Sequence, residues 1–93
     1  MSELLNGLIY KIVSVWEIEK DDIYIGSTTR LLDDEFQEHI ANYNRPIKKV
    51  MYGTERLFKK YGSKFCKIIL IEFFPCNSIE ALEKRTNEII RQL

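Results

Sequence analysis

The apolar positions of the chain fall into blocks of different period, and the period of each block predicts an element. Residues 8–16, LIYKIVSVW, are rich in β-branched and aromatic side chains and too short and unbroken for an amphipathic helix, so they read as a strand. Residues 17–22 form the polar turn that follows. Ile23, Tyr24 and Ile25 make a second short strand closed by Gly26, and the small gap between the two strands makes the pair an antiparallel hairpin. After Ser27, Thr28 and Thr29 the spacing changes. Leu32, Phe36, Ile40 and Tyr43 recur at helical intervals, with Asp33 and Asp34 in the first turn, where the helix dipole favours negative charge. Pro46 cannot continue this helix. Residues 47–61 read as one interrupted helical segment, divisible at Gly53, with Thr54 as an N-cap and Gly62 as a stop.

Residues 67–74, KIILIEFF, form a nearly continuous apolar run bounded by Pro75, which suits the buried central strand of a small sheet. Asn77 or Ser78 then caps a last helix. Asn77 and Glu80 have capping-box spacing, and Ile79, Leu82, Ile89 and Leu93 form the buried stripe. The order strand, strand, helix, helical segment, strand, helix predicts an α+β fold, a three-stranded, mainly antiparallel sheet flanked by helices, in one domain over residues 1–93.

Composition narrows the setting. Ninety-three residues, 45% of them hydrophobic, support one core and no second one. Residues 1–7 hold Glu3, no basic residue and no long apolar run, so the reading is an intracellular protein, cytoplasmic or nuclear, with no membrane span. Cys66 and Cys76 lie in apolar settings without a CxxC partner or a nearby His, which predicts reduced thiols and no zinc site. The zero net charge conceals an asymmetry. Residues 1–43 carry three bases against nine acids, whereas residues 44–67 carry eight bases against Glu55 alone. Arg45, Lys48, Lys49, Arg56, Lys59 and Lys60 in that basic segment are candidate phosphate contacts, with a plain solvated helix face as the alternative.

Two short motifs stand at hairpin spacing within this frame, Gly7-Leu8-Ile9-Tyr10 and Tyr24-Ile25-Gly26. Ser27 to Thr29, His39 on the first helix, Lys60-Tyr61-Gly62, and the strand, Pro, Cys, Asn, Ser and helix of residues 67–92 follow in order. Together these features resemble the GIY-YIG nucleases, in their compact single-domain form, over nearly the whole chain. In that family two tyrosines flank a phosphodiester site, and one helps to deprotonate the attacking water. An Arg on the first helix steadies the phosphate, and a Glu on the last helix holds one divalent metal ion. The resemblance places the tyrosines at Tyr10 and Tyr24, the motif glycine that lets the backbone turn beside the site at Gly26, and the helix His at His39. It places the Arg position at Glu35 and the metal-binding Glu position at Thr86.

Both substitutions oppose cleavage. Phosphodiester hydrolysis builds negative charge, which a guanidinium stabilises and Glu35 repels. At about 4 Å each unit interaction is worth roughly 1 to 4 kcal/mol. A threonine hydroxyl is a weak neutral ligand for magnesium, so no metal site and no cofactor is expected. Blander readings stay open beside these. Tyr10 and Tyr24 serve equally as cross-strand packing partners, His39 as a surface residue paired with Glu35 one turn away, and Thr86 as a core residue bonded back to the Leu82 carbonyl. The expected function is a weakened or inactive endonuclease-like domain that binds nucleic acid, DNA before RNA, or a partner. An active nuclease that uses Glu35 with Mg or Mn is the first alternative, and a protein-interaction module the second.

Overall fold

The computed structural model describes residues 4–16, 22–45 and 53–92. The first strand, β1 (Leu5–Ser14), runs antiparallel to β2 (Ile23–Thr28), with Tyr10 opposite Gly26 and Ile12 opposite Tyr24. Two helices follow, α1 (Leu32–Asn44) and α2 (Glu55–Tyr61). A 3-10 turn over Ser63–Phe65 leads into β3 (Cys66–Cys76), and α3 (Ile79–Arg91) closes the described chain. The fold is α+β, with the three strands antiparallel in the order β2-β1-β3.

β1 therefore lies at the centre of the sheet, not the run at 67–74. Its residues are buried on both faces: Tyr10 and Ile12 point to one side, Ile9 and Val13 to the other. β3 lies at an edge, where Leu70, Ile71 and Phe73 remain exposed, and Phe73 keeps 55% of its surface. A continuous apolar run does not distinguish a central strand from an edge strand whose neighbour supplies the cover. Pro75 fits the edge, because an edge strand tolerates the missing amide donor. The register between β1 and β3 slips by one residue between Ile9 and Tyr10, a bulge opposite the centre of the sheet.

The sheet divides the core into two apolar clusters, one on each face. On one, Tyr10, Ile12 and Cys66 meet Leu57 and Phe58 of α2, and Leu32, Phe36, Ile40 and Tyr43 of α1 pack around them. The helical stripe predicted for α1 is thus the stripe that docks. On the other face Ile9 and Cys76 meet Leu82 and Ile89 of α3. Ile79 is exposed and so leaves the predicted stripe, and Leu93 falls outside the described residues.

The helix ends follow local chemistry. Ser78 caps α3, its hydroxyl accepting from the Ala81 amide at 3.1 Å, so the Asn77–Glu80 spacing is one residue out of register with the cap. Arg45 at the end of α1 is extended, as the residue before a proline must be. Gly62 ends α2 with φ at +86°, a conformation that a side chain resists. Cys66 and Cys76 are free and buried at the two ends of β3. No helix among the described residues is long and apolar enough to cross a membrane. The part of the predicted helical segment before Gly53 lies outside the described residues.

Candidate functional site

A buried polar cluster forms where β1, β2, α1 and α2 meet. Tyr10 projects from the centre of β1, and its hydroxyl donates to Glu35 Oε2 at 2.9 Å. The same hydroxyl lies 2.9 Å from His39 Nε2. Thr28, the last residue of β2, donates to Glu35 Oε1 at 3.0 Å and accepts from the Arg30 amide at 3.1 Å, which fixes its rotamer. His39 Nδ1 meets the Thr54 hydroxyl at 2.9 Å. The Tyr24 ring stands edge-on to the His39 ring, centroids 5.4 Å apart, and 6.3 Å from the Tyr10 ring.

Donor counting orients the chain of protons. Tyr10 has one proton and gives it to Glu35, so the proton between Tyr10 and His39 belongs to Nε2. The Nε2 proton thus faces both the Tyr10 oxygen and the Glu35 carboxylate 3.5 Å away, and the Tyr10 proton goes to Glu35. Glu35 is held below the usual carboxylate range, first by its hydrogen bond to His39 and then by those from Tyr10 and Thr28, against the opposing effect of burial. Burial and the nearby Glu35 charge push the Tyr10 phenol far up. A phenol so placed keeps its proton at neutral pH and does not serve as a base.

Three local expectations change. His39 pairs with Glu35 one turn away at 3.5 Å as expected, but at 1% exposure it is a core residue and not a surface one, because α1 turns that side onto Tyr10 and Tyr24. Thr54 stands at the start of α2 but makes no side-chain cap; its hydroxyl is drawn to His39 instead. Gly26 lies inside β2, not at a turn. A Cβ there would come within 2.7 Å of the Tyr10 hydroxyl oxygen and 2.9 Å of the Tyr24 ring, so the glycine makes room for the two tyrosines.

Thr86 is not brought to this cluster. α3 covers the opposite face of the sheet, and the Thr86 hydroxyl donates to the Leu82 carbonyl at 2.7 Å. The Thr86 hydroxyl is thus engaged within its own helix, and a neutral hydroxyl is in any case a weak ligand for a divalent ion. Glu35 and His39 form a pair, 3.5 Å apart, and no group of three His, Cys, Asp or Glu side chains suited to a metal ion occurs among the described residues.

The basic segment is partly committed to carboxylates. Arg45 pairs with Glu38 at 3.6 Å, while Arg56 and Lys60 approach Asp22 at 3.4 and 2.7 Å. Lys59 is exposed, and Lys48 and Lys49 lie outside the described residues. Asp22 also accepts from the Tyr61 hydroxyl, and the Lys60 and Tyr61 hydrogen bonds hold it below the usual carboxylate range. Thr28, Thr54 and Asp22 carry no mark of these roles in the sequence, where each reads as a turn or cap residue. Compared with family models, curated proteins and solved structures, the chain matches none.

Proposed function

We propose that this chain is a GIY-YIG-like domain that holds nucleic acid without cutting it. The observation that carries the reading is the position of the Glu35 carboxylate, which accepts from Tyr10 and Thr28 and lies beside His39. These donors are of the kind that a phosphate oxygen needs, and an internal anion already engages them. A phosphate approaching that point meets negative charge where cleavage requires positive charge. The basic residues of α2 and its surroundings supply the attraction for a polyanion, DNA before RNA.

Supercoiled plasmid incubated with magnesium or manganese should stay intact, while filter binding should detect an affinity that falls steeply with salt. Absence of binding to any DNA or RNA at about 50 mM salt, where counterion release most favours it, would remove the nucleic-acid part of the reading. A protein-interaction module would then be the better account.

A second reading has one observation in its favour: Glu35 is an ionised carboxylate beside an imidazole, a pair able to hold one metal ion. Metal-dependent nicking that disappears in Glu35→Ala would establish that reading and overturn the first.

A further inference from the structure

The end of the molecule beyond Asp22 carries an aromatic surface that the polar cluster does not use. Trp16 follows β1 and stacks on Phe65, with ring centroids 5.2 Å apart and planes inclined by 28°. The Tyr61 ring stands 6.3 Å from Trp16 on another side. The backbone fixes this arrangement: the Val15 amide donates to the Phe65 carbonyl at 2.7 Å, and the Phe65 amide to that of Gly62 at 3.0 Å. Yet Trp16 is 53% exposed and Phe65 45%. A pair of large rings is thus held in place and left open to solvent.

The elements beside it carry lysines, with the Asp22 carboxylate among them bound to Lys60 and Tyr61. Lys59 and Lys60 on α2 and Lys64 in the 3-10 turn are exposed on the elements that carry Tyr61 and Phe65, and the Lys60 ammonium sits 5.3 Å from the Tyr61 ring centre. Protein interfaces deplete lysine around their aromatic anchors. A polyanion whose units each present a flat π-face needs both features at once, rings for the bases and lysines for the phosphates. A duplex keeps its base faces inside its own stack, so only an unpaired nucleotide has a face to offer.

We infer that Trp16 and Phe65 form a stacking platform for an unpaired base of single-stranded nucleic acid, with Lys59 and Lys64 contacting the adjoining phosphates. The inference rests on the nucleic-acid reading above and adds to it the strandedness of the ligand.

Trp16 is the one tryptophan of the chain, so its fluorescence reports on the platform directly. The intact protein is titrated with a labelled oligothymidylate of about 12 nucleotides, within the site size of small single-strand binders, and with a duplex of the same length. The single strand should quench Trp16, and Trp16→Ala or Phe65→Ala should weaken its binding by about ten- to hundredfold, with duplex binding changed by less than about twofold. Far-UV circular dichroism of both variants should match that of the parent, because the rings are half-exposed. Binding of the single strand with no quenching and no loss in either variant overturns the platform and leaves the nucleic-acid reading standing. Equal quenching by the duplex overturns the preference for unpaired bases. No binding of either ligand removes both. Self-association abolished by Trp16→Ala would assign the rings to a second copy of the chain and overturn the inference.

Discussion

Two carboxylates bracket β2, and their surroundings differ in kind. Glu35 meets the strand at its last residue, Thr28, and is held, itself partly buried, by the hydroxyls of Thr28 and Tyr10 and the imidazole of His39. Asp22 precedes the first residue of the strand and is held by Lys60, Arg56 and the Tyr61 hydroxyl, with both cations half-exposed. Donors that already serve the Glu35 carboxylate leave its negative charge to meet an incoming phosphate. Cations that already accompany Asp22 can turn toward a polyanion with little rearrangement. One pole of the molecule is occupied by its own partly buried anion, and the other keeps its cations at the surface.

α2 joins the two poles, with Thr54 at one end and Lys60 and Tyr61 at the other. The largest effect should come from loosening it. Phe58 is fully buried and anchors α2 against Phe36 and Tyr43, with centroids 6.3 and 5.5 Å away. Phe58→Ala should destabilise the fold by about 3 to 5 kcal/mol in urea unfolding, a large share of what a small domain possesses. A loss below about 1 kcal/mol would show that α2 is not anchored in this way.

The difference between the carboxylates is tested next by removing each in turn. Glu35→Ala leaves the Tyr10 and Thr28 hydroxyls without their acceptor in a partly buried site, which should cost about 1 to 3 kcal/mol. Glu35→Gln keeps one acceptor oxygen and should cost less. Asp22→Asn acts where its cations reach water and should cost less than Glu35→Ala. The pH dependence has the same sign at both sites. Each folded carboxyl is held below its ordinary value, so the unfolded chain binds more protons in acid. The stabilisation is complete above about pH 5 and is lost as pH falls through the folded values. Glu35→Gln should flatten this acid limb in thermal denaturation, and an unchanged limb would mean that Glu35 is not held as described.

The elements and their order were legible because each depends on a local period. The hairpin and the α1 stripe of Leu32, Phe36, Ile40 and Tyr43 needed only neighbours within one or two turns. The misread features all depend on what lies across space. The run at 67–74 is as apolar as a central strand, but β1 was the strand with neighbours on both edges. Thr54 has the chemistry of a cap, and only the fold brings His39 close enough to claim its hydroxyl. Gly26 sits after a motif tyrosine in a way that suggests a turn, whereas its lack of a side chain serves Tyr10 on the neighbouring strand. At the candidate site, the motif resemblance picked out Tyr10, Tyr24, Glu35 and His39, whose side chains do converge. Thr86, chosen by the same correspondence, lies on the helix behind the sheet.

The smallest effect is the most selective test of the two poles. In Asp22→Asn the carboxylate charge beside Lys60 and Arg56 is gone, which makes the local field more attractive to phosphates. Nucleic-acid affinity at low salt should rise by a few-fold. The plot of log affinity against log salt should steepen by about 0.7 to 0.9 for each added contact, two at most. Glu35→Gln should leave the slope unchanged, since the side chains it releases are hydroxyls and a buried imidazole, none of them a surface cation. Filter binding between about 50 and 200 mM salt distinguishes the variants. If the slope steepens in Glu35→Gln and not in Asp22→Asn, the polyanion approaches the Glu35 pole, because only cations placed at the point of approach can alter the number of counterions released.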